Sequence, residues 1–183
     1  EDYLRIIRFI RFKIMYDSKL EPTTIAAIKQ NLDGIKKISK ERILLELIKI
    51  LELKSFLKIS ENYHLLEIFK LIFPELIYLE RLKRVKEINR NLKLNKDIIL
   101  SILLIDEKDN HEYFSHKYNV SNKLKLSLEK LAKNLNLAQN NKDFFYKDLL
   151  KNIYLNGKNH LITLNILNYA CNPKIKSVSY THL

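Results

Sequence analysis

Apolar residues recur at three- and four-residue spacing along nearly the whole chain, a pattern that predicts one helix after another and no pair of strands. In the first helix, running to about Tyr16, Tyr3, Leu4, Ile6, Ile7, Phe9, Ile10 and Phe12 leave no polar face except a stripe at Asp2, Arg5, Arg8 and Arg11. A helix so apolar is expected to be buried, with its charges facing a groove or a neighbouring domain. Asp17, Ser18 and Lys19 make a turn. Pro22 at a first helical position and Asp33-Gly34 past the last then frame a second helix containing Ile25, Ile28 and Leu32. Ser39 is placed to cap a third, in which Ile43, Leu44, Leu47, Ile50 and Leu51 form the buried stripe while Glu41, Glu46 and Lys49 stay on the polar side. After a weak seam at 53–61, a helix from Tyr63 to Phe73 must stop or kink at Pro74. The spacing next predicts a long basic helix over 75–91, with Arg81, Lys83, Arg84, Lys86 and Arg90, and a short apolar one over 95–105. Helices over 121–135, from Phe144 to Tyr154, and over 161–171 complete the pattern, the second ended by Asn156-Gly157. The fold class is all-α.

Composition narrows the chemistry. Two glycines, Gly34 and Gly157, cannot make a phosphate-cradling Gly-rich loop. One cysteine, Cys171, forms no internal disulfide, and the absence of a signal peptide or long apolar span leads to an expected cytoplasmic location. His111 and His116 are five apart, outside the i,i+4 register of a helical zinc pair, and the acids at 106–109 lack the Gly and distal Glu of a calcium loop. Residues 105–116 are therefore read as a solvated connection with no metal ligands. Lys and Arg outnumber Asp and Glu by 33 to 21, giving a net charge of +12 that points to a polyanionic partner. AT-rich coding explains part of the lysine content, yet the acids still lag. Lys83, Arg84 and Lys86 are the candidate RNA contacts on the basic helix. Lysines among the aromatics from Phe144 to Tyr154 suit base stacking, or equally an ordinary amphipathic helix.

Asp2 and Arg5, three apart on a helix, set an acceptor beside a donor fork, which suits the edge of a nucleobase or a simple intrahelical ion pair. The run E-D-x-x-R-x-x-R-x-x-R-F at Glu1 to Phe12, then E-P-x-T at Glu21 to Thr24 and E-R-I-x-x-E-L-x-K-I-L at Glu41 to Leu51, resembles the neck of bacterial class II tRNA nucleotidyltransferases and their poly(A) polymerase relatives. The likeness is specific over about 1–60, looser to about 95, and beyond that only helical in character. It implies a nucleotide-recognising neck at 1–60, a helical body at 61–136 and a partial tail at 137–175, while the irregular end at 176–183 fits neither the helical pattern nor the family's tail and is expected to be truncated or non-native. It also implies that the third helix buttresses the first.

In that family a catalytic head precedes the neck and carries a Gly-Ser element, an Asp-x-Asp metal pair and an Arg-Asp segment, none of which occurs here. The chain enters the motif at its first residue, as a truncated product would. No catalytic residue is therefore assigned, and the chain is expected to be inactive alone. The resemblance implies an intact enzyme that adds C and A to the tRNA 3′ end from CTP and ATP, with Mg²⁺ bound by the absent head and tRNA as partner. The nucleotide-binding residues it implies are Glu1, Asp2, Arg5 and Arg8: Asp2 accepts from the exocyclic amine, Arg5 donates to the ring nitrogen, Glu1 orients Arg5, and Arg8 holds the helix or the triphosphate. Rival readings are a poly(A) polymerase or a CC- or A-adding enzyme of the same family. From another class, the rival is a non-enzymatic helical RNA-binding module.

Overall fold

The spacing of Leu4, Ile7, Ile10 and Ile14 buries one side of the first helix, α1 (Leu4–Met15), and the structure, a computed structural model describing residues 3–87 and 94–175, continues in the same way. The further elements are α2 (Pro22–Ile35), α3 (Lys40–Leu51), a 3-10 helix (Phe56–Glu61), α4 (Tyr63–Ile72), α5 (Arg81–Glu87), α6 (Lys96–Leu104), α7 (Asn110–Lys117), α8 (Asn122–Asn140), α9 (Leu149–Asn156) and α10 (Lys158–Cys171). No strand occurs among the described residues, and no helix there is long and apolar enough to cross a membrane.

α1 lies against α3, as the resemblance implied, and α2 against α4. Phe56 and Ile59 of the 3-10 helix are fully buried, and that element packs on α1, α4 and α5. The centre of the second half is α6, in which every residue from Ile98 to Leu104 is buried. A helix apolar on all sides needs neighbours all round, and α3, α5, α7, α8 and α10 supply them.

The sequence pattern misplaces several boundaries. Gly34 does not end α2; it sits inside the helix, buried, where a Cβ would lie 2.2 Å from the Tyr3 ring. The absent side chain is what lets that ring rest on α2. Residues 74–80 are turns, so the predicted helix over 75–91 begins only at Arg81; residues 88–91 of it lie outside the described residues, as does the end at 176–183. After Pro74 the backbone is held by Glu75, whose buried carboxylate accepts from Tyr118 Oη at 3.1 Å and pairs with Lys117, while its carbonyl accepts from Asn110 Nδ2 at 2.9 Å. Residues 110–117 form α7, with His111 and Phe114 buried, so only 105–109 is a connection. Finally, 142–148 are turns around buried Phe144, and α9 begins at Leu149.

Two arginines of α5 terminate other helices. Arg81 lies over the Tyr78 ring at 3.7 Å and donates to the carbonyls of Ile102 and Ile105 at 2.9 and 2.8 Å, closing α6. Arg84 lies over the Tyr169 ring at 4.6 Å and donates to Tyr169, Asn172 and Ile175 carbonyls at 3.2, 3.1 and 2.8 Å, closing α10. Each puts a cation where orphan carbonyls and the negative end of the helix dipole coincide. At the α9–α10 corner, Gly157 adopts φ 86° and its N–H donates to Ile153 at 2.8 Å. The Asn156 amide there accepts from Asn134 Nδ2 at 3.1 Å and donates to the Asn152 carbonyl at 3.2 Å.

Candidate nucleic-acid interface

The arginine stripe of α1 divides between two neighbours. Glu46 of α3, placed on the polar side by its sequence, is instead 2 % exposed. Its carboxylate accepts from Arg11 Nε at 3.1 Å and Lys49 Nζ at 3.0 Å and lies 3.5 Å from Arg8 Nε. A buried carboxylate is tolerable only with such partners. Burial by itself would push the Glu46 carboxyl up, but Lys49 and Arg11 outweigh it and hold its pKa below the ordinary value. Arg8 thus helps join α1 to α3.

Arg5 is different. It is exposed and makes no ion pair among the described residues. It lines an open cleft of about 510 Å³ between α1 and α2, together with Tyr3, Phe9, Thr24 and Asn31. That volume falls in the small-molecule range, and Tyr3 and Phe9 give part of its wall aromatic surface. Glu1 and Asp2 lie outside the described residues.

The three residues proposed for RNA do not share a free basic face. Arg84 is engaged with the end of α10, as described, so its guanidinium is not available to phosphate; this corrects the expectation from sequence. Lys86 is paired with Glu61. Lys83 alone of the three is simply exposed. The alternative segment is more open: Tyr146, Leu150 and Tyr154, four residues apart, are 69 %, 81 % and 90 % exposed, and between them lie exposed Lys151 and exposed Lys147, the latter 3.5 Å from Asp143. Such a ridge combines stacking faces with phosphate-directed charge. Sequence named the aromatics but could not say which face they take; Phe144, of the same cluster, is buried.

Residues 18–79 match the family described as "Probable RNA and SrmB- binding site of polymerase A". The CCA-adding enzyme of Staphylococcus haemolyticus (strain JCSC1435) is 28 % identical over 127 residues, covering 69 % of this chain and 30 % of that relative. No solved structure matches. Both matches support the family resemblance carried by the sequence motifs, and the description of the matched family names RNA binding.

Proposed function

We propose that this chain, related to the CCA-adding and poly(A) polymerase enzymes, is the base-selecting neck and RNA-holding arm of a tRNA nucleotidyltransferase using CTP and ATP. The neck, body and partial tail at 1–60, 61–136 and 137–175 are part of that proposal. The observation that carries it is the division within one stripe: Arg8 and Arg11 are fixed on Glu46, whereas Arg5 stands exposed beside a cleft lined by Tyr3 and Phe9. An exposed arginine whose two successors along the stripe are clamped on Glu46 is suited to presenting a rigid donor.

Cytosine and adenine both offer an exocyclic amine beside a ring-nitrogen acceptor. Arg5 donates to the nitrogen and Asp2 accepts from the amine. Guanine and uracil put a carbonyl where the amine belongs, facing the carboxylate and leaving polar groups unpaired; each bidentate contact of this kind discriminates by about 1–3 kcal/mol. Stacking on Tyr3 or Phe9 would add affinity without choosing a base. Mg²⁺ in such enzymes supplies charge for the transferring phosphoryl group. No carboxylate lines the Arg5 cleft among the described residues, so the cleft does not fit that ion.

In the full-length protein, Asp2→Ala and Arg5→Ala should each reduce the preference for C and A over U and G by about tenfold, the size of one lost bidentate contact, with unchanged circular dichroism. Unchanged selectivity in both variants would remove the base-reading role. Comparing tRNA lacking its CCA end with unrelated RNA as primer distinguishes CCA addition from poly(A) synthesis, and residues 1–183 alone should incorporate neither nucleotide.

A further inference from the structure

We propose that Asp109, His111 and Glu112 bind a first-row transition-metal dication, with Zn²⁺ as the representative, on the wall of the large cavity between the α6–α7 connection and α8. The ligand-type atoms of these three side chains all lie within 4.8 Å of one another. Neighbours 111 and 112 on a helix ordinarily fan apart. Here the left-handed backbone at Asp109, φ 55°, folds the connection back onto the first turn of α7.

Acids in a first helical turn are commonplace, since the positive end of the dipole favours them. That accounts for Asp109 and Glu112 but not for His111. The imidazole is 3 % exposed and its Nδ1 has no hydrogen-bond partner. Buried polar groups are nearly always satisfied, and the others packed around it are. Asn110 Nδ2 donates to Glu75 and Leu104 carbonyls at 2.9 and 3.3 Å, and Ser115 Oγ donates to the His111 carbonyl at 2.7 Å.

The two carboxylates are likewise unused. Asp109 stands at the N-cap position yet makes no capping bond. Asp106 does that work, accepting from the backbone of Lys108 and Asn110 at 2.9 and 3.1 Å. An unpartnered buried imidazole beside two idle carboxylates is a ligand set awaiting an electrophile. A mixed nitrogen and oxygen set favours Zn²⁺ and similar ions over Mg²⁺ and Ca²⁺, which prefer oxygen alone. All three residues line the cavity of about 1000 Å³, which gives an ion a route in and lets water complete its coordination. Bound there, the ion would tie the α6–α7 connection to α7. His116 is exposed and belongs to no such cluster among the described residues.

The test is Zn²⁺ titration of the 183-residue chain by calorimetry, in excess Mg²⁺, with the His111 ring resonances followed by NMR. A single Zn²⁺ per chain that shifts those resonances is expected. Asp109→Asn with Glu112→Gln, both at exposed positions, should weaken uptake more than about tenfold, the scale reached by losing even an outer partner of a ligand, with an unchanged metal-free fold. His116→Asn should leave uptake unchanged. Absence of saturable uptake would overturn the proposal, as would uptake indifferent to the double variant or silent at His111.

Discussion

Partly or wholly buried ionisable side chains tie the stability of this fold to acid, and His160 and Glu46 do so in different pH windows. His160, beside Asn134 with its Nε2 2.9 Å from the amide nitrogen, is pushed down from 6.5 to about 4 by burial and then by the charge of Lys130. A folded pKa below the unfolded one means that the neutral ring favours the fold. This stability is present in full above pH 6.5 and is lost as pH falls toward about 4. Glu46, also depressed, contributes above its ordinary 4.5 and loses that contribution only as pH drops through its lower folded value. An acid titration of the melting temperature should therefore descend in two stages. His160→Asn should flatten the first stage, worth about 1–2 kcal/mol after allowance for partial solvent screening. Glu46→Gln should flatten the second and cost about 1–3 kcal/mol at neutral pH, because its cationic partners reach water and are not stranded. A single descent unaffected by either variant would refute the assignment. Of these groups, sequence exposed the stripe at Arg5, Arg8 and Arg11 but not its anchor. Glu46 carries no local mark of burial, since its partners at Arg8 and Arg11 are 38 and 35 positions away.

At the scale of elements, α5 does more than its seven residues suggest. Arg84→Ala removes three donor contacts and a ring contact from the end of α10, and it should destabilise by about 2–3 kcal/mol, within the range for charged hydrogen bonds. Arg84→Lys should recover little, because a lone ammonium cannot fork across several carbonyls. Lys83→Ala should stay within about 0.5 kcal/mol, as exposed substitutions do. Urea denaturation orders the three, and equal losses for Lys83 and Arg84 would remove the capping role. A triple replacement of Lys83, Arg84 and Lys86 is consequently a poor probe of RNA contact, since it unseats a helix. The periodicity that located α5 could not give its start, because Leu76, Leu79, Leu82 and Val85 keep a three-residue spacing straight through turns and helix alike. What breaks the helix before Arg81 is the pairing of Glu75 with Lys117 and Tyr118, more than forty positions away.

For the whole molecule, the surplus of cations over acids implies salt-sensitive binding to RNA, and the exposed ridge at Tyr146, Leu150 and Tyr154 is where it should concentrate. Affinity for tRNA should fall linearly with salt on logarithmic axes, losing about 0.7–0.9 in slope for each phosphate contact removed. Replacing Lys147 and Lys151 with Ala should flatten that slope. Tyr146→Ala with Tyr154→Ala should instead lower affinity by about 1–3 kcal/mol per lost stack at every salt concentration. Loss of two scattered exposed lysines such as Lys37 and Lys123 having the same effect as Lys147 and Lys151 would mean that no dedicated surface exists. That the described residues build helices and no strand was legible from the sequence, because each amphipathic stripe is local. Which helix surrounds which was not: α6 reads as one short apolar segment, and only tertiary packing makes it the centre.

The α9–α10 corner adds a consequence of a different kind, concerning the chemical ageing of the chain. In an Asn-Gly step the amide side chain cyclises readily onto the following backbone nitrogen, giving a succinimide that hydrolyses to an acid. At Asn156-Gly157 that nitrogen is engaged as a donor to Ile153, and the side-chain amide is held between Asn134 and Asn152. Ring closure must wait for the corner to open, so its rate follows local opening and not the sequence alone. Each conversion leaves a carboxylate where Asn134 and His160 meet, a lasting mark on any molecule whose last two helices have once come apart.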